Sequence, residues 1–170
     1  MALAEALRRD LTLPAFAAPM FLVSGTDLAI ECCRAGIIGS LTRNHCRDIE
    51  ELGEQLRTVR DALDRHAETL PERSIGPLSV NISPTFSQEE FREHLDLCRR
   101  HGVAIIVTSV GDPTVNAPLV QEYGMLHFHD ATTLRFAEKA AAAGADGIVC
   151  IGAGGGGHAG MISHFAFVPK

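Results

Sequence analysis

Four stretches of the chain repeat one pattern of polar and apolar positions. "CCRAGIIGS" (32–40), "CRRHGVAIIVTS" (98–109), "QEYGMLHFHD" (121–130) and "AAAAGADGIVCIG" (140–152) each pass from a helix end through a glycine into a short apolar run, then into polar residues. Gly36, Gly102, Gly124 and Gly144 sit where a helix needs a left-handed residue before the chain enters a strand. The runs are short and not cleanly alternating, which predicts parallel strands covered on both faces. The segments between them read as helices. In 48–63, Ile49, Leu52, Leu56, Val59 and Leu63 share one face at a 3.6-residue period. "SQEEFREHLDLCRRH" (87–101) opens with Ser87 and Glu90 in capping-box spacing, and Thr132 or Thr133 caps "TTLRFAEKAAAAG". Strands are predicted near 14–18, 36–40, 76–82, 103–108, 125–129 and 146–151. Six strands alternating with helices make an α/β chain with a parallel sheet, read as one domain over 1–170. A doubly wound open sheet and a (β/α)8 barrel both remain open, and both bind ligands beyond the carboxyl ends of the strands.

Those ends carry Met20 and Ser24, Thr42 and Asn44, Asn81 and Ser83, Ser109 and Asp112, His129 and Asp130, and then a glycine loop with His158. Taken singly, each is as well explained as a cap or turn former. Their recurrence at six consecutive strand ends points to a shared rim. His127 and His129 alternate on one strand and so share a face, with Leu126 and Phe128 on the other. Asp130 or His158 would complete a Zn²⁺ or Fe²⁺ shell, but a polar interior is the commoner use of two such histidines, and no metal is assigned. His45, His66, His94 and His101 read as surface residues.

Composition narrows the partners. The chain is 46% hydrophobic with no Trp, so its core is mostly aliphatic. A formal charge of −6 without a basic cluster argues against nucleic acid. No apolar run approaches the ~20 residues of a membrane span. "MALAEALRRDLTLPAF" places its charges after its apolar stretch, the wrong order for a signal peptide, so a cytoplasmic location is expected. Five cysteines with no C-x-x-C pair fit reduced, mostly buried thiols.

The stretch "IGAGGGGHAG" (151–160) packs six glycines around His158. It matches G-x-G-x-x-G, but a dinucleotide fingerprint belongs at the first strand and needs an acidic residue about 20 positions on. A P-loop needs Lys then Ser or Thr where this chain has His158 and Ala159. A flexible loop is one remaining reading. The other is a backbone nest against a flat or anionic cofactor, with a proton-transfer group beside it.

"APM" (18–20), "SVNIS" (79–83), "FHDATTLRFAEKAAAAGADGIV" (128–149) and "GAGGGGHAG" (152–160) resemble the FMN-dependent nitronate monooxygenases, formerly 2-nitropropane dioxygenases. That family is a (β/α)8 barrel related to flavin-type enoyl-ACP reductases and some quinone reductases. The resemblance implies FMN as cofactor, with Ala18, Pro19 and Met20 laying backbone along the flavin and Asn81 hydrogen-bonding it. It implies His129 beside the ring, Gly155, Gly156 and Gly157 approaching the cofactor, and His158 as the catalytic base. It also implies alkyl nitronates or nitroalkanes as substrates and molecular oxygen as oxidant; an NAD(P)H-dependent enoyl-thioester or quinone reductase is the alternative. The chain stops at "FAFVPK", so the first six of eight βα units are expected, with a partial FMN phosphate site. A non-catalytic fragment is the third reading. Open sheet edges would favour self-association.

Overall fold

The computed structural model describes Leu7 and residues 11–170. Its strands are β1 (Gly39–Thr42), β2 (Leu78–Asn81), β3 (Ile105–Thr108), β4 (Leu126–Ala131) and β5 (Gly147–Cys150). Its helices are α1 (Thr26–Arg34), α2 (Ile49–Thr69), α3 (Gln88–Arg100), α4 (Pro113–Glu122), α5 (Leu134–Ala142) and the short α6 (His164–Phe167). All pairings are parallel and the order is sequential, β1-β2-β3-β4-β5.

The predicted first strand forms only one parallel bridge, Phe16 to Ile38. Ala17 N–H donates to Ile38 O and Ile38 N–H to Ala15 O. Pro14 and Pro19 bracket the segment and bring no N–H, so a longer ladder lacks donors. The second strand starts later than predicted, because Gly36 is still left-handed at φ 75° and Ile38 is spent on the bridge.

The joints are as the sequence predicts. Gly36, Gly102, Gly124 and Gly144 all have positive φ, between 70° and 90°. Ser87 and Glu90 form a complete capping box at α3, and Thr133 caps α5. Helix α2 runs six residues past its predicted end, to Thr69.

Side chains on the two faces of the sheet enter different cores. Leu41, Val80 and Ile106 pack under the helices with Leu52, Leu56, Phe91 and Leu95. Ile38, Ile105 and Val107 face the other way, with Phe16, Leu126 and Phe128 against them. The Phe16 and Phe128 rings are 5.9 Å apart. Four strand spacings separate them, about 19 Å in a flat sheet. The sheet is therefore curled, with Phe16 and Phe128 meeting across its concave side. A doubly wound sheet would reverse its growth at a switch point, and this one does not. The fold is α/β of the (β/α)8 barrel type.

Two expectations about histidines fail. His94 is buried at 3% exposure, not on the surface. Its Nδ1–H donates to Glu90 O at 2.6 Å, its Nε2 accepts from Arg43 Nε at 2.7 Å, and Phe86 stacks on it. His127 and His129 do share a face, but it is the helix-facing one; the concave side takes Leu126 and Phe128. All five cysteines are free thiols, and burial pushes Cys98 up to about 12. Among the described residues no helix is long and apolar enough to cross a membrane.

Candidate active site at the carboxyl ends of the strands

The loop after the first segment is braced from inside. Ser24, buried at 1% exposure, donates its Oγ proton to Ala18 O and accepts from Met20 N–H. Those bonds fix Ala18, Pro19 and Met20 at the strand end. Phe21, Leu22 and Val23 continue as an exposed apolar stretch.

A directional row of hydrogen bonds then crosses three strand ends. Asn81 Nδ2 donates to Ser109 Oγ at 3.0 Å and to Val107 O at 3.3 Å. Ser109 spends its one proton on Asp130 Oδ2, at 2.6 Å. Register explains the row: Asn81 pairs with Val107, and Val107 with Phe128, all on the concave side. Asp130, two residues beyond Phe128, keeps that side. Burial pushes its carboxyl up; the Ser109 hydrogen bond and the charges of His129 and His158 pull it back. The residue after Ser109 is Val110, at φ 65°. A β-branched residue there is strained, and such outliers gather at functional sites.

His129 does not join this row. It lies on the other face at 3% exposure, its Nδ1 2.7 Å from Thr108 Oγ1, whose second contact is His127 Nε2 at 2.8 Å. One hydroxyl proton serves two rings, so Thr108 donates to one and accepts from the other. His127 Nδ1 is buried without a partner, and burial lowers that ring to about 4. Asp130 is thus the β4 residue presented to the rim. Among the described residues no group of three His, Cys, Asp or Glu could hold a metal.

The glycine loop is closed at its base. Ala153 N–H donates to Ile162 O and Gly160 N–H to Gly152 O. Gly152 N–H donates to His164 Nε2 at 3.2 Å. His164 had no role assignable from sequence, because this contact forms only when the loop folds back. The glycines fall into two groups. A Cβ at Gly160 would collide with Ile151 O, at Gly155 it would lie 2.6 Å from His158 O, and at Gly152 2.8 Å from the His164 ring. Gly154 is left-handed at φ 88°. Gly156 and Gly157 are different: a Cβ on either meets nothing within 4 Å, and neither has positive φ. The chain's own packing does not require glycine there. His158 follows directly, exposed at the rim.

The two parts meet at the end of β4. Ile151 N–H donates to Ala131 O, and Gly160 packs against Thr132 O. The structure thus gathers Asn81, Ser109, Asp130 and the glycine loop with His158 on one rim. A cavity of about 350 Å³ lies at the opposite end, among Val59, Arg60, Leu63, Gly76, Leu78 and His101.

No family model and no curated protein matches the chain. Solved structures do. FabK from Thermotoga maritima superposes with a TM-score of 0.73 at 21% identity, over 98% of this chain and 49% of that one. Nitroalkane oxidase from Streptomyces ansochromogenes gives 0.70 at 22% identity, over 91% and 50%. The enoyl reductase domain of MlnA, from the macrolactin biosynthesis cluster of Bacillus amyloliquefaciens, gives 0.62 at 16%, over 82% and 32%. The chain spans about half the length of the first two. At these identities the likeness establishes the fold.

Proposed function

We propose that the chain belongs to a flavin-dependent oxidoreductase, with FMN at the strand-end rim and His158 as the base that removes a substrate proton. Gly156 and Gly157 carry this reading. They are glycines with neither a packing nor a φ requirement, as expected where a backbone must approach something outside the chain. Gly156 and Gly157 make no backbone hydrogen bond among the described residues, so their N–H groups are available to a ligand. The braced Ala18–Met20 backbone and the Asn81 amide complete a cradle suited to a flat, polar-edged ring. His129 is not part of it, since its ring is committed to Thr108.

Bound there, the flavin would supply the redox chemistry, with molecular oxygen as electron acceptor. The chain's share is proton chemistry and positioning. His158 takes the proton from the carbon next to a nitro group, general-base work for which an imidazole is suited. The C–H electron pair moves into the C=N bond of the resulting nitronate. On this reading the substrates are nitroalkanes and alkyl nitronates. A second reading, reduction of an enoyl thioester by NAD(P)H, draws on the likeness to FabK and to an enoyl reductase domain.

Substituting the two groups of glycines tests the cradle. Gly156→Ala and Gly157→Ala should leave the melting temperature unchanged yet weaken FMN binding at least about tenfold, or ~1.4 kcal/mol, by flavin fluorescence titration. Gly160→Ala should unfold the loop whether or not FMN is present. Unchanged FMN affinity in both Gly156→Ala and Gly157→Ala would refute the cradle.

A further inference from the structure

We propose that Asp130 is the positioning residue for His158: Ser109 anchors one carboxylate oxygen and leaves the other free to accept a ring N–H of the imidazole when the two side chains turn toward each other. The proposal rests on the reading of His158 as a base, and it adds a residue that reading does not use. The direction of the hydrogen-bond row supports it. An amide nitrogen can only donate, so Ser109 accepts from Asn81 and must point its single proton at Asp130 Oδ2. Asp130 Oδ1 has no hydrogen bond among the described residues, His158 included. The glycine loop leaves β5 beside the end of β4, and Gly160 sits against Thr132 O. His158 lies two residues before that contact and Asp130 two residues before Thr132. The two residues therefore lie on either side of one backbone approach; their side chains are not hydrogen-bonded to each other in this structure, but the charge on His158 acts on the Asp130 carboxyl.

Val110 adds a second observation. Its φ of 65° is strain placed directly after the hydroxyl that aims Asp130. A turn with no duty would carry Gly or Asn there. Gly111, also left-handed, packs against Pro84, so both sides of Val110 are held. The arrangement fixes Ser109, Ser109 fixes the carboxylate, and the carboxylate fixes one imidazole tautomer. The other ring nitrogen then carries the lone pair that receives the substrate proton, and the new imidazolium stays beside a negative charge.

The test reads the tautomer, so it does not need flavin. Ring-nitrogen NMR shifts of His158 are measured at pH 9 in the protein with ¹⁵N-labelled histidine, and in Asp130→Asn and Ser109→Ala. A charge-assisted hydrogen bond should bias the tautomer ratio roughly tenfold in the wild type. Both variants should relax it toward that of free histidine, Ser109→Ala without touching the carboxylate itself. Identical shifts in all three proteins would overturn the proposal, even if His158→Asn abolished activity. Altered shifts in a protein with no flavin chemistry would leave the pairing standing and remove the proposed function instead.

Discussion

Acidification should destabilise this protein through His127 in a way that one substitution removes. The ring is fully buried against the helices, shares Thr108 with His129, and titrates near 4 instead of near 6.5. Burial is the larger cause and the neighbouring His129 the smaller. The unfolded chain takes up a proton on this residue as pH falls through about 6.5, while the folded chain refuses it until about 4. Stability is therefore fully present above pH 6.5, declines between 6.5 and 4, and loses nothing further from this group below 4. A shift of about 2.5 pKa units at 1.36 kcal/mol each comes to roughly 3 kcal/mol. His129, lowered by the same burial, adds to the loss. The assay is urea unfolding at half-unit pH steps from 8 to 4, for the wild type and His127→Gln. Gln keeps a nitrogen for Thr108 but cannot titrate. The wild type should lose about 3 kcal/mol more than the variant across the window. Parallel curves would mean that His127 is solvated or charged in the folded protein. Its placement on the helix-facing side, and that of His129 with it, would then be wrong.

Two further outcomes follow from the rim. Val110→Asn should raise stability by about 1 kcal/mol, since Asn tolerates the left-handed region and the valine side chain is 66% exposed; a loss would show that valine makes contacts worth more than its strain. His164→Ala should speed hydrogen exchange of the Gly152 amide about tenfold with little change in global stability, because His164 is exposed and water can replace its nitrogen; unchanged exchange would mean another group closes the loop.

Much of this was legible in local chemistry. The four joint glycines, the Ser87–Glu90 box and the shared face of His127 and His129 all follow from short-range rules, and the structure bears them out. What was not legible depends on which side of the sheet is concave. Alternation on β4 separates two sets of residues without saying which set faces the rim. The polar pair looked suited to an interior that Phe16, Leu126 and Phe128 in fact occupy. The same alternation puts Asp130 with Leu126 and Phe128, so Asp130 was readable once that side was known. His94 could not be read as buried, because its partner Arg43 is 51 residues away. Pro14 and Pro19 were in plain view and should have shortened the first strand. The glycine loop lay between these cases. Its density signalled a close approach, but only the folded backbone separates Gly160, which the chain needs, from Gly156 and Gly157, which it does not.

The most direct test of the central claim, that His158 is a base beside a flavin, compares two substrates that differ by one proton. His158→Asn is assayed, with FMN present, on a neutral nitroalkane and on the same compound pre-ionised to its nitronate. Removing a general base should cut the rate with the neutral form by about 10²–10⁴-fold. The nitronate has already lost its proton, so its rate should stay within a few-fold of the wild type and the FMN affinity should hold. Equal losses on both forms would assign His158 to binding instead, and unchanged rates on both would contradict the claim outright.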